Sequence, residues 1–162
     1  MERSLETRLS WLGGIIDGEG CIGASIHTAK RKGGAPTNQL VAAVHIGNTD
    51  ERVIREAASI ADLCGLRYNI YLRRMKNERH RDLWELIFNS GPRVEALLDY
   101  VMPYLVGKHD QADLLLRLIR HRRAITAHPR RNEKGQVLGD LPVLADPDSL
   151  DMTRELAAMK RR

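Results

Sequence analysis

Cysteine is scarce: Cys21 and Cys64 are the only two in 162 residues, and neither sits in a CxxC or Cys/His ligand spacing. A disulfide framework and a structural zinc site are therefore excluded as organising devices, and a reducing compartment is the natural setting. No apolar run approaches the ~20 residues that a membrane-spanning helix needs. The N-terminus also lacks a basic-then-apolar signal pattern. The expectation is a soluble, intracellular protein, in cytoplasm, nucleoid or organelle, with no membrane partner.

Positive charge is in mild excess, 26 Lys and Arg against 21 Asp and Glu for a net +5. It is gathered in three places. Arg73, Arg74, Lys76, Arg79, His80 and Arg81 form one cluster; Arg117, Arg120, His121, Arg122, Arg123, His128, Arg130 and Arg131 form another; Lys160, Arg161 and Arg162 end the sequence. Any one of these describes a solvated face. Three together point to a nucleic-acid partner.

The length suits one domain with a real core. Ser4 is a helix N-cap with Glu6 in the first turn, and Leu5, Leu9, Leu12 and Ile16 repeat at helical spacing, which predicts a helix over about 5–18. After Gly20 the period becomes two. Ile22, Ala24 and Ile26 alternate with Cys21, Gly23, Ser25 and His27, a strand with one apolar face. A Lys-, Gly- and Pro-rich loop is expected at 28–38, then a second strand at 39–47 with Leu40, Ala42, Val44 and Ile46 on one side. Thr49 or Asp50 caps a helix carrying Val53, Ile54, Ala57, Ile60 and Ala61, which ends at Cys64-Gly65. Strands at 67–73 and 83–89 flank a basic hairpin, with Trp84, Leu86 and Phe88 as the inward row. Helices follow at 92–101 and 108–124, the latter with Ala112, Leu115, Leu116 and Ile119 inward, and a Pro- and Gly-containing link at 126–147 leads to a last helix near 149–162.

The expected class is α+β: an α-β-β-α-β-β-α order with an antiparallel four-stranded sheet backed by helices on one face, plus a C-terminal helix. The core domain would span 1–125, with 126–162 as a C-terminal segment packed on or extending it. In this register Ser25, His27, Gln39, His45, Asn69, Tyr71, Arg73 and Glu85 project from the other face of the sheet. A polar face can simply meet water. Side chains of these types also suit reading base edges in a major groove.

The first helix ends unusually, in Leu12-Gly13-Gly14-Ile15-Ile16-Asp17-Gly18-Glu19-Gly20. An interior glycine costs a helix roughly 1 kcal/mol relative to alanine, yet Gly14 and Gly18 stack on one face and Gly13 widens it. Small residues so placed let a second helix approach backbone to backbone. Asp17 and Glu19 meanwhile face the negative end of the helix dipole, an unfavourable position unless a cation sits nearby.

This stretch resembles the LAGLIDADG motif of homing endonucleases, differing by small-for-small, apolar-for-apolar and Glu-for-Asp exchanges. The element order over about 5–125 is similar to that family's fold. The resemblance implies a nuclease acting at intron-homing sites, which hydrolyses both strands of long, pseudo-palindromic duplex DNA with Mg2+, with Mn2+ or Ca2+ able to substitute for binding. Glu19 takes the place of the family's catalytic acid, with the Gly18 backbone carbonyl as a further metal ligand; Asp17 falls where the acid serves the helix end. Asn48 matches the residue that orders active-site water, and Lys108 the lysine beside the cleaved phosphate. Only one such motif is present, so the resemblance implies a homodimer with Gly13, Gly14 and Gly18 at the interface and Ser25, His27, Gln39, His45, Asn69, Tyr71, Arg73 and Glu85 as DNA readers. The alternatives that keep the fold are an RNA-splicing maturase and a non-cleaving DNA-binding regulator.

Overall fold

The computed structural model describes residues 3–29, 37–75, 81–127 and 147–160, with backbone only at 26–29, 37–39, 126 and 127. The elements run α1 (Leu5–Glu19), β1 (Gly20–Ala29), β2 (Thr37–Asn48), α2 (Glu51–Leu63), β3 (Asn69–Arg73), β4 (Leu83–Asn89), α3 (Gly91–Val101), a 3-10 turn (Met102–Tyr104), α4 (His109–Ala127) and α5 (Pro147–Met159). The four strands form one antiparallel sheet in the order β1-β2-β4-β3.

Period-two patterning decides which face the helices cover. Ile22, Leu40, Ala42, Val44, Ile46, Leu86 and Phe88 are buried beneath the helical layer. Trp84 follows the same row but is half-buried, and the Arg55 guanidinium lies 5.9 Å from its ring centroid. Above the sheet, α2 contributes Ile54, Ala57, Ile60 and Ala61, and α3 contributes Val94, Leu97, Leu98 and Val101. In α4 burial extends beyond Ala112, Leu115, Leu116 and Ile119 to Leu114 and Leu118. The wider arc arises because α5 packs on α4 and on β1, with Leu156 in the same core.

The ends of the elements follow local chemistry. The Ser4 hydroxyl accepts from the Thr7 N–H at 3.2 Å, and the Asp50 carboxylate accepts from Arg52 N–H at 2.9 Å. α2 closes in a Schellman turn: Leu66 N–H reaches the Ala61 carbonyl at 2.9 Å, Gly65 N–H reaches Asp62 at 3.0 Å, and Gly65 takes φ +65°. The β1–β2 ladder extends to Ala29 and Thr37, so the expected 28–38 loop is shorter, its centre at 30–36 lying outside the described residues. β3 begins at Asn69 rather than at 67, because Tyr68 donates its hydroxyl to Asp62 at 2.9 Å and tilts its ring against Phe88 instead of joining the ladder. Lys76, Arg79 and His80 of the hairpin, His128, Arg130 and Arg131 of the link, and Arg161 and Arg162 also lie outside the described residues.

The second basic cluster serves the fold. Arg117 pairs with Asp113 at 2.9 Å, Arg120 spans Glu95 and Asp99 at 3.1 Å each, and Arg123 also bonds Glu95. Arg122 donates to the Leu40 carbonyl at 2.9 Å, tying α4 to β2. Much of this charge is thus committed to packing α4 against α3 and the sheet.

Phe88 is fully buried at the centre of the sheet, so Phe88→Ala should cost about 3–5 kcal/mol in denaturant unfolding. A loss below ~1 kcal/mol would mean that the core is centred elsewhere.

Candidate active site and nucleic-acid interface

The end of α1 is held by α4. The Asp17 carboxylate accepts from the backbone N–H groups of Val106, Gly107 and Lys108 at 2.7, 3.1 and 2.9 Å. These donors lead into the N-terminus of α4, whose dipole favours an anion. The Lys108 ammonium returns the contact, donating to the Ile16 carbonyl at 2.9 Å and to the Asp17 carbonyl. The acid that looked misplaced at the end of one helix therefore caps another. Burial raises the Asp17 carboxyl, but the three N–H groups and Lys108 outweigh it and hold it below its ordinary value.

This geometry gives Lys108 a contact within the fold. Its ammonium is spent on the last carbonyls of α1, which lack intrahelical partners, and it does not line the open sheet face. It braces the end of α1, two residues before Glu19. Asn48 is likewise engaged within the fold. It belongs to the even-numbered, helix-facing row of β2, and its Oδ1 accepts from Asp50 N–H at 2.8 Å, shaping the entry to α2. Its side-chain oxygen thus takes part in the turn into α2.

Gly13 also plays another part. A Cβ there would sit 2.7 Å from the Tyr104 Cβ and 3.0 Å from its carbonyl oxygen, so this glycine lets the 3-10 turn close on α1 within one chain. Gly14 and Gly18 differ: both are exposed, and a Cβ on either would meet nothing within 4 Å. Ser10 is exposed on the same stripe. Gly20, with ordinary extended dihedrals, is needed for closeness, since a Cβ would lie 2.5 Å from the Ile16 oxygen.

Glu19, the last residue of α1, is exposed and lines a concavity on the open face of the sheet together with Ser25, His45, Glu85 and Lys160. The ladder puts Cys21 opposite His45, His45 opposite Ile87, and Ile87 opposite Asn69. A neighbouring row joins Gly47, Glu85 and Tyr71. Ser25, His45, Asn69, Tyr71, Arg73 and Glu85 accordingly share this face, as their spacing predicted. The face is less uniformly polar than that list suggests, since Val41, Ala43, Leu83 and Ile87 share it. Arg73 is bonded to Glu85 at 2.9 Å, and Asn69 donates to Asn89 at 3.3 Å. His27 pairs with Gln39 in the backbone ladder; their side chains are outside the described ones.

Sequence reasoning missed Asn89 and placed Lys160 only in a C-terminal basic cluster. Asn89 is the next outward position of β4 after Ile87 and could have been found from the alternation. Lys160 comes from a helix remote in sequence, and no local pattern announces its place on the sheet. Among the described residues no three His, Cys, Asp or Glu side chains converge as a metal site. Within one chain the motif offers the Glu19 carboxylate and the Gly18 carbonyl, hard oxygen donors of the type that Mg2+ and Ca2+ accept. They fit such an ion as part of a set completed by water, phosphate or a second copy.

The matched family agrees with this architecture. Residues 6–102 match the model of the LAGLIDADG-like domain, and the protein belongs to that family. The homing endonuclease I-CvuI, solved with its DNA target and calcium, superposes with a TM-score of 0.65 at 20% identity, over 96% of this chain and 83% of that one. The archaeal intron-encoded homing endonuclease I-Vdi141I, solved with DNA, has a TM-score of 0.65 at 12% identity, over 96% and 86%. The group I intron-encoded I-CeuI, also in complex with DNA, has 0.64 at 12%, over 96% and 69%. At these identities the likeness is one of fold. No curated protein matches the chain. Among the described residues no helix is long and apolar enough to cross a membrane.

Replacing Asp17 by Ala removes the acceptor of three N–H groups and should cost about 0.5–2 kcal/mol at pH 7. Because the folded-state carboxyl lies below its ordinary value, that stabilisation is present above about pH 4 and declines as pH falls through the folded pKa. Unfolding curves of wild type and variant should converge in acid; a constant gap down to pH 2 would deny the charged cap.

Proposed function

We propose that this protein is a homodimeric, divalent-metal-dependent endonuclease that cuts both strands of a long, pseudo-palindromic DNA duplex. The observation that carries this reading is the placement of Glu19. It stands exposed where α1 meets the open sheet face, at the end of a helix whose outward glycines have no neighbour. Two copies related by a two-fold axis can cross their α1 helices on Gly14 and Gly18. Such a crossing brings both Glu19 carboxylates to one place beneath the DNA.

Two carboxylates held that close repel each other unless cations intervene. Mg2+ bound there would activate water and neutralise phosphate charge, with Mn2+ or Ca2+ able to support binding. The chain supplies the oxygens, from Glu19 and the Gly18 carbonyl, and the Asp17–Lys108 junction keeps them in position. Each sheet then lies along a half-site. Ser25, His45, Asn69, Tyr71, Arg73 and Glu85 face the bases, joined by His27 and Gln39 on the ladder's outer end. Arg73 can reach a base only by sharing or leaving Glu85, which makes the pair a combined donor and acceptor unit. DNA complexes of the similar I-CvuI, I-Vdi141I and I-CeuI support this docking mode.

The experiment is selection of cleaved sites from a randomised duplex library, with Mg2+ and with EDTA. Glu19→Gln keeps the side chain's shape and loses its charge. Cutting should fall by orders of magnitude while binding in Ca2+ persists. Wild-type cutting by the variant would remove Glu19 from the chemistry, and DNA binding without cutting by the wild type would favour the regulator reading.

A further inference from the structure

On the β1–β2 half of the open face, one row of the sheet carries almost no side chain. Gly23 of β1 pairs with Ala43 of β2, so neither strand offers more than a methyl group there. The flanking positions on β1 are Cys21 and Ser25, and on β2 His45 and Val41. Into this gap comes Lys160, the residue after α5, whose helix is anchored by Leu156 in the core and by packing on β1 and α4. Its ammonium and Cε lie over Gly23 so closely that a Cβ at that position would overlap both. Lys160 is exposed, no described carboxylate forms an ion pair with it, and among the described residues it is the one lysine or arginine lining the concavity.

We propose that Lys160 is a specificity-determining residue, which reads an acceptor-rich base edge from the gap that Gly23 and Ala43 leave in the sheet. This rests on the DNA-cutting reading above. Gly23 lies three residues into β1 from Gly20, roughly 10 Å along the strand, which sets Lys160 away from the helix end that carries Glu19 and on the recognition side of the concavity they both line. An ammonium only donates, and guanine presents two acceptors, N7 and O6, to the major groove. The preferred base is therefore guanine, at one position in each half-site.

The test is selection of bound sites from a randomised duplex library in Ca2+, using full-length wild type, Lys160→Met, Gly23→Ala and the double variant. Lys160→Met should lower the guanine preference at one base pair per half-site by about tenfold and leave other positions unchanged. Gly23→Ala should displace the flexible lysine and give the same relaxation, and the double variant should add nothing further. Uniform loss across all sites, with the salt slope smaller by about one, would make Lys160 a phosphate contact and overturn the proposal. An unchanged profile in Lys160→Met would overturn it as well. A wild type that selects no duplex sequence would instead defeat the DNA-cutting reading itself.

Discussion

The exchange between Asp17 and Lys108 is the joint on which the rest of the site depends. A helix that ends in acids has its own dipole against it. Here the N-terminus of α4 accepts the Asp17 charge through three backbone N–H groups, while the Lys108 ammonium covers the carbonyls that α1 leaves open. Two helix ends of opposite polarity are thus neutralised by one pair of side chains. Glu19, two residues past Asp17, inherits a fixed position without being used up in the fold.

From that joint the two faces of the protein separate by simple alternation. Among the described side chains, Ile22, Leu40, Ala42, Val44, Ile46, Leu86 and Phe88 pack under the helices, while the odd-numbered positions of the same strands lie on the other face. A slip of one residue would exchange the two sets, so the same apolar burial that stabilises the domain also fixes which side chains face outward. Gly13 and Gly14 show a similar division on α1: adjacent glycines serve different contacts, one closing the chain on Tyr104 and the other left open.

Strand register, helix order and the core rows were legible because each is a local periodicity with strong hydrophobic contrast. The placement of Ser25, His45, Asn69, Tyr71, Arg73 and Glu85 followed from that alternation. What stayed hidden depends on contacts between distant segments. Lys108 carries the charge that resemblance to the family expects near a phosphate, but its hydrogen bonds go to α1, 91 and 92 residues away. Asn48 sits at a strand end, where its side-chain oxygen accepts from Asp50 N–H, a turn contact that no periodicity announces. The basic run on α4 looked like a nucleic-acid surface because Glu95 and Asp99, its partners, lie on another helix. Lys160 reached the open face only through the packing of α5 on β1.

The central claim is that two chains share one catalytic centre, each contributing its Glu19 to the cutting of one strand. Mixing wild type with Glu19→Gln and isolating the mixed dimer by two different affinity tags tests it directly. On a supercoiled plasmid bearing the selected site, that mixed dimer should produce nicked circles and little linear DNA, whereas the wild-type dimer produces linear DNA. Linearisation by the mixed dimer at the wild-type rate, or failure of the two chains to associate at all, would contradict the account.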